Sequence, residues 1–223
     1  MLVWSSTFLA LALLATMTSA QSSQTPPQMS SAVLVLPTPG APISFEQIEE
    51  RRESGGAAVE TLRMNVYRDS SGRVCMQEVT RGGSDLTRIV DPVASHVIAL
   101  TKEKTGYLFS FPKSGEARFT NFALAESQDE ASPPSLRAES LGKRIFEGIE
   151  FAGTRMTAVR EGEPRPTKTV EQWQSADLKL IGLMVVSKGD TNYTVRIQRV
   201  RREEPSPDLF KIPAGYEIIE VPE

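Results

Sequence analysis

The sequence contains almost none of the residue types from which thiol and metal sites are built. Its 223 residues include one cysteine and one histidine. One cysteine excludes an internal disulfide and a thiolate–zinc cluster, and one histidine excludes a histidine-rich metal site. A phosphate-binding loop, a dinucleotide-binding fingerprint and a G-x-S-x-G nucleophile motif are also missing. The sequence therefore predicts no catalytic residue, no metal ligand and no cofactor, and hence a protein that is not an enzyme.

Two interpretations of the single cysteine and the single histidine remain. Cys75 and His96 lie in adjacent predicted hairpins, an arrangement that allows a Cys–His dyad. Alternatively, Cys75 is a small buried hydrophobe, as a lone strand cysteine usually is. His96 alternates with Ile98 and Leu100, so it shares their face of the strand and is expected to be structural. We favour a buried, inert cysteine and a structural histidine.

The charged residues are balanced in sign. Basic residues number 25 and acidic residues 28, a net charge of −3 that is too small to indicate nucleic acid as a partner. A hydrolase with two carboxylates stays open as a less favoured alternative, although Glu49–Glu50 and Glu203–Glu204 belong to mixed charge runs. Arg73 and Arg155 come just after glycines. They are either strand-start arginines beside tight turns, which we favour, or anion-binding arginines.

The apolar run near the N-terminus is too short to span a bilayer. It is apolar from Phe8 to Ala15 and then becomes small and polar, whereas a spanning helix needs about 20 residues. Thr18 and Ala20 occupy the small-residue positions of a signal-peptidase site. We therefore predict a signal peptide over residues 1–20 and an exported protein, periplasmic or extracellular, without a transmembrane span after cleavage. The alternative is an uncleaved anchor.

The remaining chain divides by composition into a leader and one domain. Residues 21–40 are rich in Ser, Gln and Pro, which predicts a flexible leader. Residues 41–223 predict a single β-rich domain with enough chain for a substantial core. Within it, residues of about 112–140 are polar and interrupted by Pro133–Pro134. They predict a surface excursion that ends in one turn of helix at Ser135–Ser140.

Short alternating segments separated by tight turns predict a mostly β, antiparallel sheet with little helix. The turn Asp69–Gly72 begins with a residue whose side chain binds backbone amides and ends with glycine. Residues 193–199 alternate apolar and polar side chains, as a strand with one solvated face does. Residues 178–186 are apolar on both faces, so that strand needs cover on both sides. The cover is the leader, the 112–140 excursion, a partner or an apolar ligand, and we favour the chain itself.

The C-terminal segment EPSPDLFKIPAGYEIIE, residues 204–220, contains three prolines. Proline removes a backbone donor, which confines such a segment to edges and turns. We predict that Phe210 inserts into the core and that Ile218 and Val221 join the edge of the sheet. The tail is thus expected to seal the sheet.

Several of these segments resemble a known layout. "VYRDSSGRVCMQE", "IVDPVASHVIAL", "TGYLF" and the tail "DLFKIPAGYEII" resemble the hairpins of bacterial envelope proteins with the lipoprotein-carrier (LolA/LolB-like) half-barrel, over roughly residues 43–223. "LGKRIFEGIEFAGTRMT" and "EQWQSADLKL" are similar to a group of secreted bacterial proteins of unknown function. The resemblance implies a curved antiparallel sheet around an apolar cavity that binds acyl chains or lipoproteins without catalysis. Carriers close the cavity with helices, whereas helical periodicity is poor over residues 112–142, and no functional residue is transferred.

Together these features predict a non-enzymatic, exported binding or interaction domain. Its partner is an apolar ligand, such as a lipid or an acyl chain, or an envelope protein. The alternatives are a structural subunit of an envelope assembly and, less favoured, the two-carboxylate hydrolase. An apolar cavity lined from several strands would favour the binding domain, and a flat exposed apolar face would favour the structural subunit. Two carboxyls that converge in a cleft would favour the hydrolase.

Overall fold

The computed structural model describes residue 35 and residues 37–79, 86–111, 135–159, 166 and 168–222. The predicted signal peptide and residues 112–134 of the predicted excursion lie outside these ranges. The described residues form one sheet of twelve strands, and their helical structure is limited to a 3₁₀ turn at Pro207–Phe210. The mostly β fold with little helix is confirmed.

The strands are β1 Ile43–Glu53, β2 Val59–Arg68, β3 Val74–Glu78, β4 Leu86–Asp91, β5 His96–Thr101, β6 Thr105–Ser110, β7 Ser135–Phe146, β8 Ile149–Val159, β9 Lys168–Ser175, β10 Leu180–Lys188, β11 Thr191–Arg201 and β12 Glu217–Val221.

The strand order contains two meanders that meet at one seam. Strands β1–β6 form the first meander and β7–β11 the second, and each strand pairs antiparallel with its neighbours in sequence. The seam is the antiparallel pair β1–β11, in which Gln47 lies opposite Ile197. Strand β12 returns to the far edge and pairs with β6 in parallel, with Ile219 opposite Tyr107. The predicted antiparallel arrangement is confirmed for the other strand pairs of the described sheet, whereas this edge pair is parallel because the tail reaches β6 by a long crossing and not by a hairpin.

The predicted turn at Asp69–Gly72 joins β2 to β3. The Asp69 carboxylate accepts hydrogen bonds from the Ser71 hydroxyl at 2.7 Å and from the Arg73 amide at 2.9 Å. Gly72 has a φ of +88°, a conformation that costs glycine little. The Asp69 side chain and the conformational freedom of Gly72 thus form the turn that the sequence predicted.

A second tight turn, Glu147–Gly148, was not recognised in the sequence. Its residues have φ angles of +52° and +70°, the signs of a type I′ hairpin turn, which favours Asn-Gly or Asp-Gly over Glu-Gly. It divides residues 135–159 into the hairpin of β7 and β8. The helical turn predicted at Ser135–Ser140 is wrong, because these residues pair with the end of β8 along the hairpin.

One face of the curved sheet, called here the inner face, carries the main core. Phe45, Val66 and Met76 are cross-strand neighbours on β1, β2 and β3, and all three are buried. The same apolar cluster contains Phe151 of β8 and Trp173 of β9. Residues from both meanders therefore share one core, which a flat sheet would not allow.

Arg68 ties the two meanders together at the end of β2. Its fully buried side chain donates from Nε to the Ala41 carbonyl and from Nη2 to the Leu178 carbonyl, each at 2.8 Å. Burial lowers the Arg68 pKa to about 10. Nearby, Val35 is buried and forms an isolated bridge with Leu180 at the start of β10. The end of the predicted leader thus supplies part of the cover that this strand needs.

The opposite, outer face is closed by the C-terminal tail. Cys75, Ile89 and Ile98 are cross-strand neighbours on β3, β4 and β5. Phe210 packs against this cluster and is 8% exposed. Strand β12 then follows at the sheet edge and includes Ile218. The predicted insertion of Phe210 into the core and the predicted edge strand are both confirmed.

Candidate binding face

Polar side chains interrupt the apolar inner face across β1–β4. Gln47 of β1 lies opposite Met64 of β2, and Met64 lies opposite Glu78 of β3. Arg88 of β4 donates from Nη2 to Glu78 Oε1 at 2.8 Å and contacts Met64 Sδ at 3.6 Å. Gln47 donates from Nε2 to Glu49 Oε1 at 3.1 Å. Gln47, Glu49, Glu78 and Arg88 are called here the inner-face polar cluster.

This cluster holds an ion pair away from water. The exposed fraction of the side chain is 3% for Arg88 and 20% for Glu78. Burial lowers the pKa of Arg88, and the carboxylates of Glu78 and Glu49 act against that shift. Removing a guanidinium from water is costly, and one ion pair often fails to repay the cost. A buried charge with a perturbed pKa makes this position a candidate for a functional role.

Arg88 could have been identified from the alternation of its own strand. Arg88 alternates with Leu86 and Val90, which are both buried. Strand periodicity alone therefore places a positive charge on an apolar face. The arginines singled out from the sequence, Arg73 and Arg155, were instead those that follow glycines.

Arg73 and Arg155 are engaged in structural contacts. Arg73 Nη2 lies 2.6 Å from Asp69 Oδ2, and its guanidinium lies 4.8 Å from the ring centroid of Phe210. Arg73 directly precedes β3, as a strand-start arginine does. Arg155 lies in the middle of β8 and has carboxylate partners on β7 and β9 at 3.4 and 3.1 Å. These contacts are structural and argue against anion binding, but the predicted strand-start position is right for Arg73 and wrong for Arg155.

Cys75 and His96 occupy different rows of the sheet. The row of fully buried Cys75 continues to Ile89 and then Ile98, whereas His96 lies opposite Asp91. Burial raises the pKa of the Cys75 thiol to about 12. The thiol is then protonated at neutral pH and is not the thiolate that catalysis requires. The prediction of a buried cysteine is confirmed, and the raised pKa argues against the dyad.

The carboxylates of the described residues show no sign of a general acid. A carboxylic acid that protonates a leaving group needs a raised pKa. Instead, a hydrogen bond from Gln198 is the main cause of a lowered pKa for Glu46, and a hydrogen bond from Trp173 is the main cause for Glu171. The other carboxyls with a shifted pKa are also lowered, namely Glu60, Asp69 and Asp208. The two-carboxylate hydrolase therefore gains no support.

The described ranges contain neither a metal-binding cluster nor a membrane-spanning helix. No three His, Cys, Asp or Glu side chains in them are grouped so that they could hold a metal ion. No helix in these ranges combines the length and the hydropathy of a membrane span.

Two open grooves lie on the second meander and at its seam with the first. One, of about 390 Å³, is lined by residues of β8 and β9 and the turn after β9, including Met156, Gln172 and Lys179. The other, of about 420 Å³, includes Glu50 and Thr194 at the seam. Both have largely polar or small lining residues, whereas small-molecule sites usually have apolar walls. The apolar side chains of the inner face are packed together as a buried core and line neither groove.

Several solved structures are similar to this chain, at low sequence identity and low TM-score. No protein-family model and no curated protein matches it. The lipoprotein LppX of Mycobacterium tuberculosis is 8% identical with a TM-score of 0.35, over 73% of this chain and 88% of that one. A LolA superfamily protein from Nitrosomonas europaea is 7% identical with a TM-score of 0.32, over 78% and 91%. MucB is 12% identical with a TM-score of 0.44, over 78% of this chain and 58% of MucB.

MucB has also been solved in complex with MucA from Pseudomonas aeruginosa. At such identities and TM-scores the likeness assigns neither a family nor a function to this chain. Ligands and partners of the matched proteins are properties of those proteins.

Proposed function

We propose that this protein is a non-enzymatic, exported binding domain that holds an acyl chain or a similar apolar ligand against the inner face of its sheet. The observation that carries the proposal is the inner-face polar cluster, in which the buried guanidinium of Arg88 shares a sheet face with apolar side chains of the core. A few polar groups on an otherwise apolar wall are what orient a ligand in a binding site. The positive charge would face the acidic end of an amphiphile, while the apolar surface contacts its chain.

The surroundings of Arg88 suit a flexible apolar ligand. Met76 lies directly opposite Arg88 on β3, and Met64 contacts its guanidinium. Methionine side chains are unbranched and polarisable, so they adapt to ligands of varied shape. Because Met64 and Arg88 are shielded from solvent, a ligand must displace the groups that shield them before it binds.

Export is part of the proposal and rests on residues 1–20. Cleavage after Ala20 is supported by the apolar run followed by small residues. Intact-mass measurement of the exported protein tests it, and retention of Met1 contradicts it.

Ligand binding is tested with a fluorescent fatty acid and its methyl ester. The wild-type protein is expected to bind both probes. The double variant Arg88→Met/Glu78→Gln removes both charges of the buried pair, so neither is left uncompensated. We expect it to lose roughly tenfold in affinity for the acid, about 1.4 kcal/mol, and little for the ester.

The matched control is Arg63→Met/Glu60→Gln. Arg63 and Glu60 form a more exposed pair on β2, with an N···O distance of 2.7 Å, and their loss should change neither affinity. Native mass spectrometry of protein purified from its own envelope tests separately for co-purifying lipid. The proposed function is contradicted if the wild-type protein binds neither probe and carries no such lipid. Equal losses for acid and ester would show that Arg88 does not recognise the acidic end.

A further inference from the structure

The two ends of the sheet are strand edges of opposite charge. Among the described residues, β7 pairs with β8 alone and β12 with β6 alone. Strand β7 carries Arg137, Lys143 and Arg144 against one acidic residue, whereas β12 carries Glu217 and Glu220 and no basic residue. The unpaired N–H and C=O groups of an edge are a template for a further strand.

A bulge divides the β7 edge, and the part after the bulge matches β12 in length. The register between β7 and β8 shifts between Ser140 and Gly142, which leaves residues 142–146 before the turn. Strand β12 also has five residues, Glu217–Val221, and Pro222 ends it because proline has no N–H to donate. The bulge at the same time prevents two β7 edges from forming one long ladder with each other.

The outward main-chain groups of β12 belong to Ile218 and Glu220. The Glu217 amide donates to the Lys104 carbonyl at 2.9 Å, just before β6 begins. In an extended strand the main-chain groups of successive residues point to opposite sides. The main-chain groups of Glu217, Ile219 and Val221 therefore face β6. Those of Ile218 and Glu220 face away from it.

The outward main-chain groups at the end of β7 belong to Lys143 and Ile145. Phe146 and Ile149 flank the two-residue turn and lie opposite each other. In such a hairpin the pair that flanks the turn is hydrogen bonded across it. The groups of Phe146 thus face β8, and those of Ile145 and Lys143 face away from it.

Antiparallel pairing of these outward groups gives a favourable set of side-chain neighbours. It places Ile218 opposite Ile145, which are 38% and 75% exposed, and Glu220 opposite Lys143. Apolar pairs and opposite charges directly across a ladder both stabilise it. Lys143 already lies 2.8 Å from Glu150, but both side chains are exposed, at 69% and 58%, and such surface pairs contribute little. In a parallel arrangement Ile218 would instead lie opposite the charged Arg144, because its main-chain groups would bond to those of Lys143 and Ile145.

We propose that β12 of one copy of this protein adds to the β7 edge of a second copy. The two surfaces differ, so repeated pairing produces a ring or an open chain of subunits. A five-residue ladder is small beside a standard stable interface, and the association is therefore weak and depends on concentration. This assembly goes beyond the proposed ligand binding and does not depend on it.

Sedimentation velocity over a concentration series of the full chain, as the cell processes it, tests the proposal. The sedimentation coefficient of the wild-type protein is expected to rise with concentration. Lys143→Glu and Glu220→Lys each set like charges against each other, so each variant alone is expected to stay monomeric. An equimolar mixture of the two should associate again, because both contacts between unlike variants join opposite charges.

The controls make the same changes of net charge away from both edges. Lys188→Glu lies in the turn region of β10, and Glu203→Lys is 67% exposed beyond β11; both should associate as the wild-type protein does. Circular dichroism confirms that each variant is folded. A wild-type protein that stays monomeric at all concentrations overturns the proposal. The proposal is also overturned if either edge variant alone associates as strongly as the wild-type protein. The same holds if the mixture associates no more than each variant alone.

Discussion

Phe210 links the tail to the outer-face core. Its ring packs on the cluster that contains Cys75 and Ile98, and the Arg73 guanidinium lies 4.8 Å from its centroid. Phe210→Ala removes this buried ring and leaves a cavity, so we expect a loss of about 3–5 kcal/mol in the free energy of unfolding. Domain stabilities are roughly 5–15 kcal/mol, so chemical denaturation should detect the change easily.

The neighbouring Lys211→Ala is the control for this substitution. The Lys211 side chain is 68% exposed, and its ion pair with Asp208 lies on the surface. We expect a change within about 0.5 kcal/mol, the range of ordinary surface substitutions. If Phe210→Ala also falls in that range, the ring does not support the core and the tail is better described as a docking segment.

Asp69 gives the turn between β2 and β3 a dependence on pH. Burial by itself raises the pKa of Asp69, but hydrogen bonds from Ser71 and Arg73 and the nearby guanidinium outweigh it and leave the pKa lowered. A carboxyl with a lowered pKa in the folded state stabilises the fold above its unfolded pKa, about 3.9. That contribution disappears as the pH falls through the lower, folded value.

We therefore expect Asp69→Asn to destabilise the protein by roughly 1–3 kcal/mol at neutral pH, as the loss of hydrogen bonds to a charged group does. The difference from the wild-type protein should shrink as the pH falls below about 4. Urea denaturation at several pH values measures both. A difference that is constant from pH 7 to pH 2 would mean that the Asp69 charge does not support the turn.

At the scale of single strands, Gly182 allows β10 to pass beneath an aromatic stack. The rings of Phe146 and Phe151 are stacked with centroids 3.9 Å apart. A Cβ atom at position 182 would lie 2.5 Å from ring atoms of both. Gly182→Ala is therefore expected to destabilise the protein by roughly 1–3 kcal/mol, the usual cost of overpacking.

A double-mutant cycle identifies the cause. Phe146→Leu makes space for the added methyl group, so Gly182→Ala should cost less in that background than in the wild-type protein. Gly189→Ala is the control, since no atom lies within 4 Å of its added Cβ, and its cost should be the same in both backgrounds. Additive costs for Gly182→Ala and Phe146→Leu would contradict the steric explanation.

Elements that depend on neighbouring residues were predictable from the sequence, and elements that depend on distant ones were not. The Asp69–Gly72 turn is formed by its own side chains, and Phe210 was recognisable as the aromatic between two proline-rich segments. The Glu147–Gly148 turn lacks the preferred Asn or Asp, and the polar composition of Ser135–Ser140 placed the first half of β7 in the predicted excursion. Arg88 meets Glu78 only once β3 and β4 are in register, and the direction of β12 is set by where the tail arrives.

At the scale of the molecule, the tail protects both a face and an edge. Deleting residues 205–223 removes Phe210 from the outer face and β12 from β6. We expect the truncated protein to aggregate, because an uncovered strand edge and an apolar patch both favour association. Cys75 should react with a thiol reagent in the truncated protein under native conditions, whereas in the intact protein it should react only after unfolding. A soluble truncated protein with an unreactive thiol would contradict this role.

The seam between β1 and β11 also governs how quickly the fold can form. Each meander contains hairpins whose partners are close in sequence, whereas the seam joins Gln47 to Ile197 across most of the domain. Closing so long a loop is entropically slow, and pairing over large sequence distances lowers folding rates. The two halves should therefore reach native-like structure separately and dock late, which makes refolding sensitive to Ile197→Val. Changes confined to the hairpins of either meander should also slow refolding and leave the unfolding rate nearly unchanged, because those hairpins are already formed when the seam closes.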